Sequence, residues 1–246
     1  MTLYKGAMDF SDIEAVLFDL DGVLTPTARV HEEAWKRTFD AFLRHRSDDG
    51  FEPFTRDDYL RYVDGKPRYE GVASFLDSRG VSLPRGEPSD APGYDSIAAV
   101  GNLKNQSFNE VLESHGVEPY PDAVTLLDHL SALPLRLAVV SSSANARPVL
   151  RASGLLERFE FVMDGVVARS RSLAGKPQPD TFIAAAAEVG ADPAGSVVFE
   201  DAVSGVEAGA AGGFHTVVGV DRTDSAAALR AAGADVVVER LTDVLE

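Results

Sequence analysis

Short apolar runs bounded by turn residues recur along the chain, and they predict the buried strands of a parallel sheet. These runs are residues 15–18, 135–140, 159–162, 196–199, 215–220 and 235–238. The segments between the later runs show helical spacing, over residues 123–133, 146–153, 179–189 and 205–211. Alternation of strand and helix from about Pro121 onward predicts an α/β fold with a doubly wound, Rossmann-like parallel sheet.

The first strand is separated from the others by roughly a hundred residues with helical patterns and no strand pattern. The helical patterns cover residues 32–46, 69–78 and 98–113, and a stretch rich in Pro and Gly, 80–93, predicts an exposed loop. We therefore expect a core domain of residues 1–26 and 116–246, with a helical domain, residues 27–115, inserted after the first strand.

Composition narrows the classes of function. The chain has 246 residues, 45% of them hydrophobic, and a net charge of −16. Such a charge disfavours nucleic acid and anionic membrane surfaces as partners. There are no cysteines, which excludes disulfides, thiolate catalysis and Cys-ligated zinc. No signal-peptide pattern opens the sequence, so we expect a cytoplasmic protein, which we also expect to be a monomer.

The sharpest chemical signal follows the first strand, where Asp19 and Asp21 flank Leu20 and precede Gly22. Two carboxylates two residues apart on an extended chain point the same way. Both are expected at the carboxyl edge of the sheet, where ligands bind in this architecture. An EF-hand calcium loop is excluded because the segment turns apolar and lacks the further oxygen ligands that such a loop needs.

Polar residues also follow three later strands. Ser141, Ser142 and Asn145 open a helix after the second strand, and hydroxyls with backbone N–H groups at a helix start suit either phosphate binding or ordinary capping. Lys176 follows the third strand, with a solvated surface charge as the alternative role. Glu200 and Asp201 follow the fourth, with an N-cap and its neighbour as the alternative.

These four stretches resemble, in identity and order, the motifs of the haloacid dehalogenase (HAD) superfamily. The segment 19–23 resembles the first motif, Ser141 the second, Lys176 the third, and Glu200 with Asp201 the fourth. The resemblance covers nearly the whole chain. Its helical insert is similar to the cap domain of the branch that contains β-phosphoglucomutases and related small phosphatases.

The resemblance implies a Mg²⁺-dependent phosphoryl-transfer enzyme. Asp19 would be the nucleophile and would form an aspartyl-phosphate. Asp21 would be the general acid and base, and its presence implies phosphate esters rather than haloacids as substrates. Lys176 and Ser141 would bind the transferring phosphoryl group. Metal ligands would come from Asp19, Asp21 through its backbone carbonyl, and Asp201, with Glu200 acting through water.

The insert carries candidates for substrate contact. Thr27 and His31 resemble the hinge residues of β-phosphoglucomutases, with capping as the alternative role for His31. Lys66 and Arg68 lie where the resemblance locates a specificity loop, and Lys104 with Asn105 are further candidates for binding a second phosphate; solvated surface charge is the alternative.

Three residues depart from the β-phosphoglucomutase pattern: Pro26 in the hinge, Asp64 in the specificity loop and Ala144 after the Ser cluster. The last two positions lack a cation that would hold a distal phosphate. The sequence therefore favours a phosphatase of small sugar phosphates, with a β-phosphoglucomutase as the alternative.

Classes outside phosphoryl transfer are less consistent with these residues. A catalytically silent binding protein on the same fold is disfavoured because all motif residues are present. A receiver domain predicts no insert and about half this length. A dinucleotide-binding enzyme needs a Gly-rich turn after the first strand, and here that turn is acidic.

Overall fold

The structure, a computed structural model, describes residues 6–47, 50–63, 66 and 68–246. Its strands are β1 Ala15–Phe18, β2 Arg136–Val140, β3 Phe161–Met163, β4 Ser196–Glu200, β5 Thr216–Val220 and β6 Val236–Val238. Its helices are α1 Ala28–Arg46, α2 Arg56–Asp58, α3 Arg68–Ser78, α4 Ile97–His115, α5 Pro121–Leu130, α6 Ala146–Ala152, α7 Gly165–Ser170, α8 Asp180–Glu188, α9 Val203–Ala211 and α10 Ala226–Ala231.

The chain divides into two compact units. One, the core unit, consists of Met1–Thr27 and Val117–Glu246, and the other, the cap unit, is Ala28–Gly116. The boundaries expected from the sequence lie one residue away from these at each junction.

In the described part of the core unit, six strands pair in parallel, in the order β3-β2-β1-β4-β5-β6. This order is that of a doubly wound sheet, whose direction of winding reverses between β1 and β4. Both strands at that point are fully buried, as their continuous apolar sequences predict. The predicted fold class is confirmed.

One helix of the core unit lies outside the sequence prediction. Asp164 caps α7 by accepting hydrogen bonds from the backbone N–H groups of Val166 and Val167. Gly165 at its start packs so closely on the carbonyl of Ser142 that a Cβ there would require a shift of the backbone. The helix is only 6 residues long, too short for an apolar periodicity to be visible.

The cap unit is helical and has its own aromatic core. Phe39, Phe42, Phe54 and Phe75 are buried there, and the Trp35 ring stacks on Phe39 with centroids 5.0 Å apart. Residues 59–63 form one π-helical turn after α2, where no helix was predicted. Among the described helices, none has the combined length and apolar character that crossing a membrane requires.

Candidate active site

Three of the predicted site residues meet at the carboxyl edge of the core sheet because they end or follow adjacent strands. Asp19 follows β1, Ser141 follows β2 and Glu200 is the last residue of β4. The Asp19 N–H donates to the carbonyl of Phe199 over 2.9 Å, which extends the β1–β4 ladder to the nucleophile candidate. The site therefore lies at the reversal point of the sheet, where ligands bind in this architecture.

Lys176 joins these strand ends. Its ammonium donates to Asp19 Oδ1 over 2.5 Å, to Glu200 Oε1 over 2.7 Å and to the carbonyl of Val140 over 3.1 Å. The Lys176 side chain is 7% exposed, and the Phe182 ring centroid lies 4.9 Å from its nitrogen. Three acceptors use the three donors of the ammonium, so its position is fixed.

Burial and charge act against each other at this centre. Burial raises the pKa of Asp19 to about 7; Lys176 opposes that rise, and the carboxylates of Glu200 and Asp21 add to it. Burial would lower the pKa of Lys176, but Asp19 and Glu200 together raise it above its ordinary value. Lys176 therefore stays charged, and it favours the ionised form of the carboxylate beside it.

Glu200 and Asp201 have different surroundings. Both oxygens of Glu200 accept hydrogen bonds, Oε1 from Lys176 and Oε2 from the backbone N–H of Ala202 over 2.7 Å. The Asp201 carboxylate lies against Gly22, where a Cβ would collide with it. Burial raises the pKa of Asp201 to about 9; Glu200 and Asp19 raise it further, and Lys176 opposes them.

This charge distribution fits a divalent cation. Lys176 provides one positive charge beside the carboxylates of Asp19 and Glu200. The raised pKa of Asp201 means that its carboxyl group holds a proton near neutral pH, and a bound metal ion would take the place of that proton. No group of three or more acidic or His side chains in the described ranges has the arrangement of a metal site. Mg²⁺ does not require one, since it is commonly held by one or two carboxylates together with waters and phosphate oxygens.

Asp21 lies in a tight turn that folds back on itself. The Gly22 N–H donates to the carbonyl of Thr25 over 2.9 Å, and Gly22 has a φ of +85°, which favours glycine. The Thr27 hydroxyl donates to Asp21 Oδ1. Thr27 is fully buried, so its hydroxyl orients the Asp21 carboxylate from the interior of the protein.

The Ser cluster forms a second turn at the same edge. The Ser141 hydroxyl accepts from the N–H of Ser143 over 3.1 Å, and the Ser143 hydroxyl accepts from the N–H of Asn145 over 3.1 Å. Ser141 and Asn145 are buried, whereas Ser142 is exposed. Asn145 is the N-cap residue of α6 without a capping hydrogen bond from its side chain.

The predicted substrate residues of the cap unit form two pairs there. Lys104 is 4% exposed, and its nitrogen lies 2.8 Å from His31 Nδ1. Arg68 donates to the side-chain oxygen of Asn105 over 2.9 Å. Burial, and then the positive charges of Lys104 and Arg68, hold the pKa of His31 well below its ordinary value.

Lys66 does not join this group, since its ammonium donates to the Ser74 hydroxyl over 2.7 Å on the exposed surface. Asp64, in the same predicted loop, lies outside the described residues.

Sequence reasoning missed Arg222, which follows β5 at the same edge of the sheet. Its guanidinium contacts the turn of Asp21 through the carbonyl of Gly22, at 3.2 Å. Its position two residues after the predicted strand 215–220 was a usable signal, because polar residues that follow the first, second and fourth strands were considered in the same way.

Comparison with known proteins shows which family and which proteins this chain is similar to. The pattern of the haloacid dehalogenase-like hydrolases matches residues 13–213. The chain is 46% identical over 240 residues to a beta-phosphoglucomutase from Mycobacterium bovis, covering 95% of this chain and 92% of that protein. It is 27% identical over 243 residues to a phosphorylated carbohydrates phosphatase from Thermotoga maritima, covering 95% and 99% of the two chains.

Among solved structures, a CbbY variant from Rhodobacter sphaeroides in complex with xylulose-(1,5)bisphosphate matches with a TM-score of 0.70 at 25% identity. That match covers 93% of this chain and 95% of the other.

Proposed function

Because the chain belongs to the haloacid dehalogenase-like hydrolase family and is an enzyme of the phosphatase or phosphomutase type, we propose that it is a β-phosphoglucomutase. It would interconvert β-glucose 1-phosphate and glucose 6-phosphate through a phosphorylated Asp19. The observation that carries phosphoryl transfer is the Lys176 ammonium held between Asp19 and Glu200 at the sheet edge.

In this proposal Asp19 attacks phosphorus and splits the reaction into two steps, formation and breakdown of an aspartyl-phosphate. Attack requires the ionised carboxylate. The Lys176 charge 2.5 Å from Oδ1 favours that form, and the second oxygen of Asp19 is the one we assign to the attack. Glu200 positions Lys176 for this, which differs from the water-mediated ligand role expected from the sequence.

Asp21 protonates the leaving oxygen in the first step and accepts a proton from the incoming hydroxyl in the second. The hydrogen bond from Thr27 holds one of its oxygens, so the other can face the leaving group. Ser141 and the turn that follows it would contribute donors to the oxygens of the transferring group, with Ser142 and Asn145 beside it.

Asp19, Asp201 and the backbone carbonyl of Asp21 would hold Mg²⁺, which supplies positive charge that allows an anionic nucleophile to approach an anionic phosphate. Gly22 supports this assignment because it leaves room for the Asp201 carboxylate against the turn.

The cap unit supports a mutase in particular. A mutase holds a sugar bisphosphate, so it needs cations for the phosphate that is not being transferred. Arg68 and Lys104 are close enough that both lower the pKa of His31, which is a local concentration of positive charge in a protein of net charge −16. Phosphate recognition by an Arg fork and a Lys is common in proteins.

A phosphatase of small sugar phosphates is the second candidate. Ala144 leaves the Ser cluster without a cation, and the similarity to the Thermotoga maritima phosphatase extends over nearly the whole chain. We put the mutase first because of the 46% identity to a named beta-phosphoglucomutase, which reverses the order favoured by the sequence.

The deciding experiment incubates the protein with Mg²⁺ and β-glucose 1-phosphate, with and without glucose 1,6-bisphosphate, and follows glucose 6-phosphate and free phosphate together. A mutase forms glucose 6-phosphate without matching phosphate release, and the bisphosphate accelerates it. Phosphate release without glucose 6-phosphate would overturn the mutase assignment in favour of a phosphatase. Failure to consume β-glucose 1-phosphate would overturn the mutase assignment, and a panel of other small sugar phosphates would then test the phosphatase.

A further inference from the structure

Arg222 connects three segments of the core unit from its place just after β5. Its Nε donates to the carbonyl of Gly22 over 3.2 Å and its Nη2 to that of Val23 over 3.5 Å. Its Nη1 donates to the carbonyl of Glu239 over 3.1 Å. The Arg222 side chain is 16% exposed, so these contacts are largely shielded from water.

Two residues at the start of α5 orient the guanidinium. The Asp122 carboxylate lies 3.0 Å from Nη2, and its Oδ2 also accepts from the backbone N–H of Leu241 over 2.7 Å. The Tyr120 ring lies beneath the guanidinium, with its centroid 4.1 Å from Cζ. A planar group held by a carboxylate at its edge and a ring at its face has one orientation, which a Lys cannot reproduce.

Two of the three carbonyls that Arg222 binds, those of Gly22 and Val23, belong to the turn that carries Asp21. The Gly22 N–H already donates to Thr25, and the Tyr120 N–H donates to the carbonyl of Leu24 over 2.9 Å. Thr27 orients the Asp21 side chain, while Arg222 binds the backbone immediately after it. The two contacts therefore restrain the carboxylate from opposite ends of the same turn.

We infer that Arg222 is a positioning residue for acid–base chemistry, which fixes the turn after β1 so that Asp21 is aligned with the leaving oxygen. This inference rests on the acid role that the proposed function assigns to Asp21. It does not depend on whether the acceptor of the phosphoryl group is a sugar or water.

A purely structural role would have a different consequence. If Arg222 only anchored the C-terminal segment through Glu239 and Asp122, its replacement would lower the stability of the fold and reduce all activities by one factor. Misalignment of a general acid instead affects poor leaving groups most, since only these need protonation as the P–O bond breaks.

The experiment uses a series of aryl and alkyl phosphates, from p-nitrophenyl phosphate to phenyl phosphate and ethyl phosphate, and measures kcat/KM for each. This quantity covers steps up to release of the leaving group, and the series does not depend on sugar recognition. The variants are Arg222→Lys, Asp21→Asn and the control Arg136→Lys, whose residue pairs with Glu160 at the start of β2 on the opposite edge of the sheet. Assays are run below the melting transition of every variant.

We expect Asp21→Asn to steepen the dependence of kcat/KM on leaving-group pKa the most. Arg222→Lys should steepen it in the same direction, with a loss on ethyl phosphate about tenfold larger than on p-nitrophenyl phosphate. Arg136→Lys should leave it unchanged. Asp122→Asn keeps a group that can accept the hydrogen bond from Leu241. It should steepen the dependence of kcat/KM on leaving-group pKa in the same direction as Arg222→Lys, by a smaller amount.

Two results would overturn the inference, and they are distinguishable. A uniform loss in Arg222→Lys, with selective loss in Asp21→Asn, would make Arg222 structural and leave the acid role of Asp21 intact. No selective loss in Asp21→Asn would remove the acid role itself, and the positioning role with it.

Discussion

Gly205 on α9 leaves the space that the Glu200 carboxylate occupies. A Cβ added at Gly205 would coincide with Oε1 of Glu200, the oxygen that accepts from Lys176. The absence of a side chain at Gly205 therefore leaves room for Glu200 to accept from Lys176 beside Asp19.

Replacing Gly205 with Ala should lower kcat by about a hundredfold, the scale of losing one preorganised electrostatic contact. The Glu200 side chain would be displaced, and Lys176 would lose one of its acceptors. The substitution should stabilise helix α9 itself, since Ala is more favourable than Gly in a helix by about 1 kcal/mol. Steady-state kinetics should be compared with Glu207→Ala, an exposed position on the same helix. Retention of wild-type kcat in Gly205→Ala would refute the role of Glu200.

Asp19→Asn should abolish multiple turnover, because an amide does not attack phosphorus. Acid quenching of the wild type during turnover should yield a peptide containing Asp19 with the added mass of one phosphoryl group, and the variant should yield none. Asp12→Asn, at an exposed position before β1, serves as the control and should turn over normally. Continued turnover by Asp19→Asn without deamidation to Asp would contradict the nucleophile assignment.

Removal of divalent cations with a chelator should abolish activity and lower the melting temperature. Mg²⁺ should restore both, because it compensates the clustered charges of Asp19 and Asp201. The stabilisation should approach about 2.7 kcal/mol at a hundred times the dissociation constant, if the unfolded chain does not bind the ion. Asp201→Asn should lose the thermal shift, whereas Glu207→Gln should keep it. An equal shift in Asp201→Asn would place the metal elsewhere.

Arg68→Met should impair the mutase reaction more than the cleavage of a simple aryl phosphate. Loss of a charged hydrogen-bonding group costs about 1.5–3 kcal/mol, so KM for the sugar phosphate should rise roughly tenfold to a hundredfold. The ratio of free phosphate to glucose 6-phosphate should rise as well, because the bisphosphate is retained less well. The matched control is Arg85→Met, an exposed cap arginine paired with Glu70. Equal effects of both variants on this ratio would argue against a phosphate contact at Arg68.

The His31–Lys104 pair should make stability depend on pH. Lys104 has only donors, so Nδ1 of His31 accepts and the imidazole proton lies on Nε2. The pKa of His31 lies well below 6.5 in the folded protein because of burial and the charges of Lys104 and Arg68. Below about pH 6.5 the unfolded state binds the proton and the folded state does not, so stability is lost as pH falls, by at most about 1.4 kcal/mol per pH unit.

Urea unfolding of wild type and His31→Gln between about pH 7.5 and about pH 5 tests this sign. The wild type should lose more stability than the variant on acidification. His215→Gln, at an exposed position, should keep the wild-type dependence. Parallel curves for wild type and His31→Gln would show that His31 titrates alike in both states.

The sequence by itself determined the fold class and the edge of the sheet at which the site lies. Buried parallel strands require continuous apolar runs, and parallel strands bring their carboxyl ends to one edge. Local patterns could therefore predict that Asp19, Ser141 and Glu200 lie at this edge, while their expected roles in one site came from the resemblance to the haloacid dehalogenase superfamily. Lys176, which is separated from β3 by α7, was identified through that resemblance.

Only the tertiary structure decided which groups contact one another. Glu200 binds Lys176, Asp201 lies against Gly22, and Arg222 contacts the turn of Asp21. Each of these contacts joins segments that are far apart in the chain. The sequence likewise did not predict α7, because a helix of 6 residues is too short to show a periodic pattern of apolar residues. Side-chain partners and pKa shifts follow from burial and distance in three dimensions, which local patterns of residues do not encode.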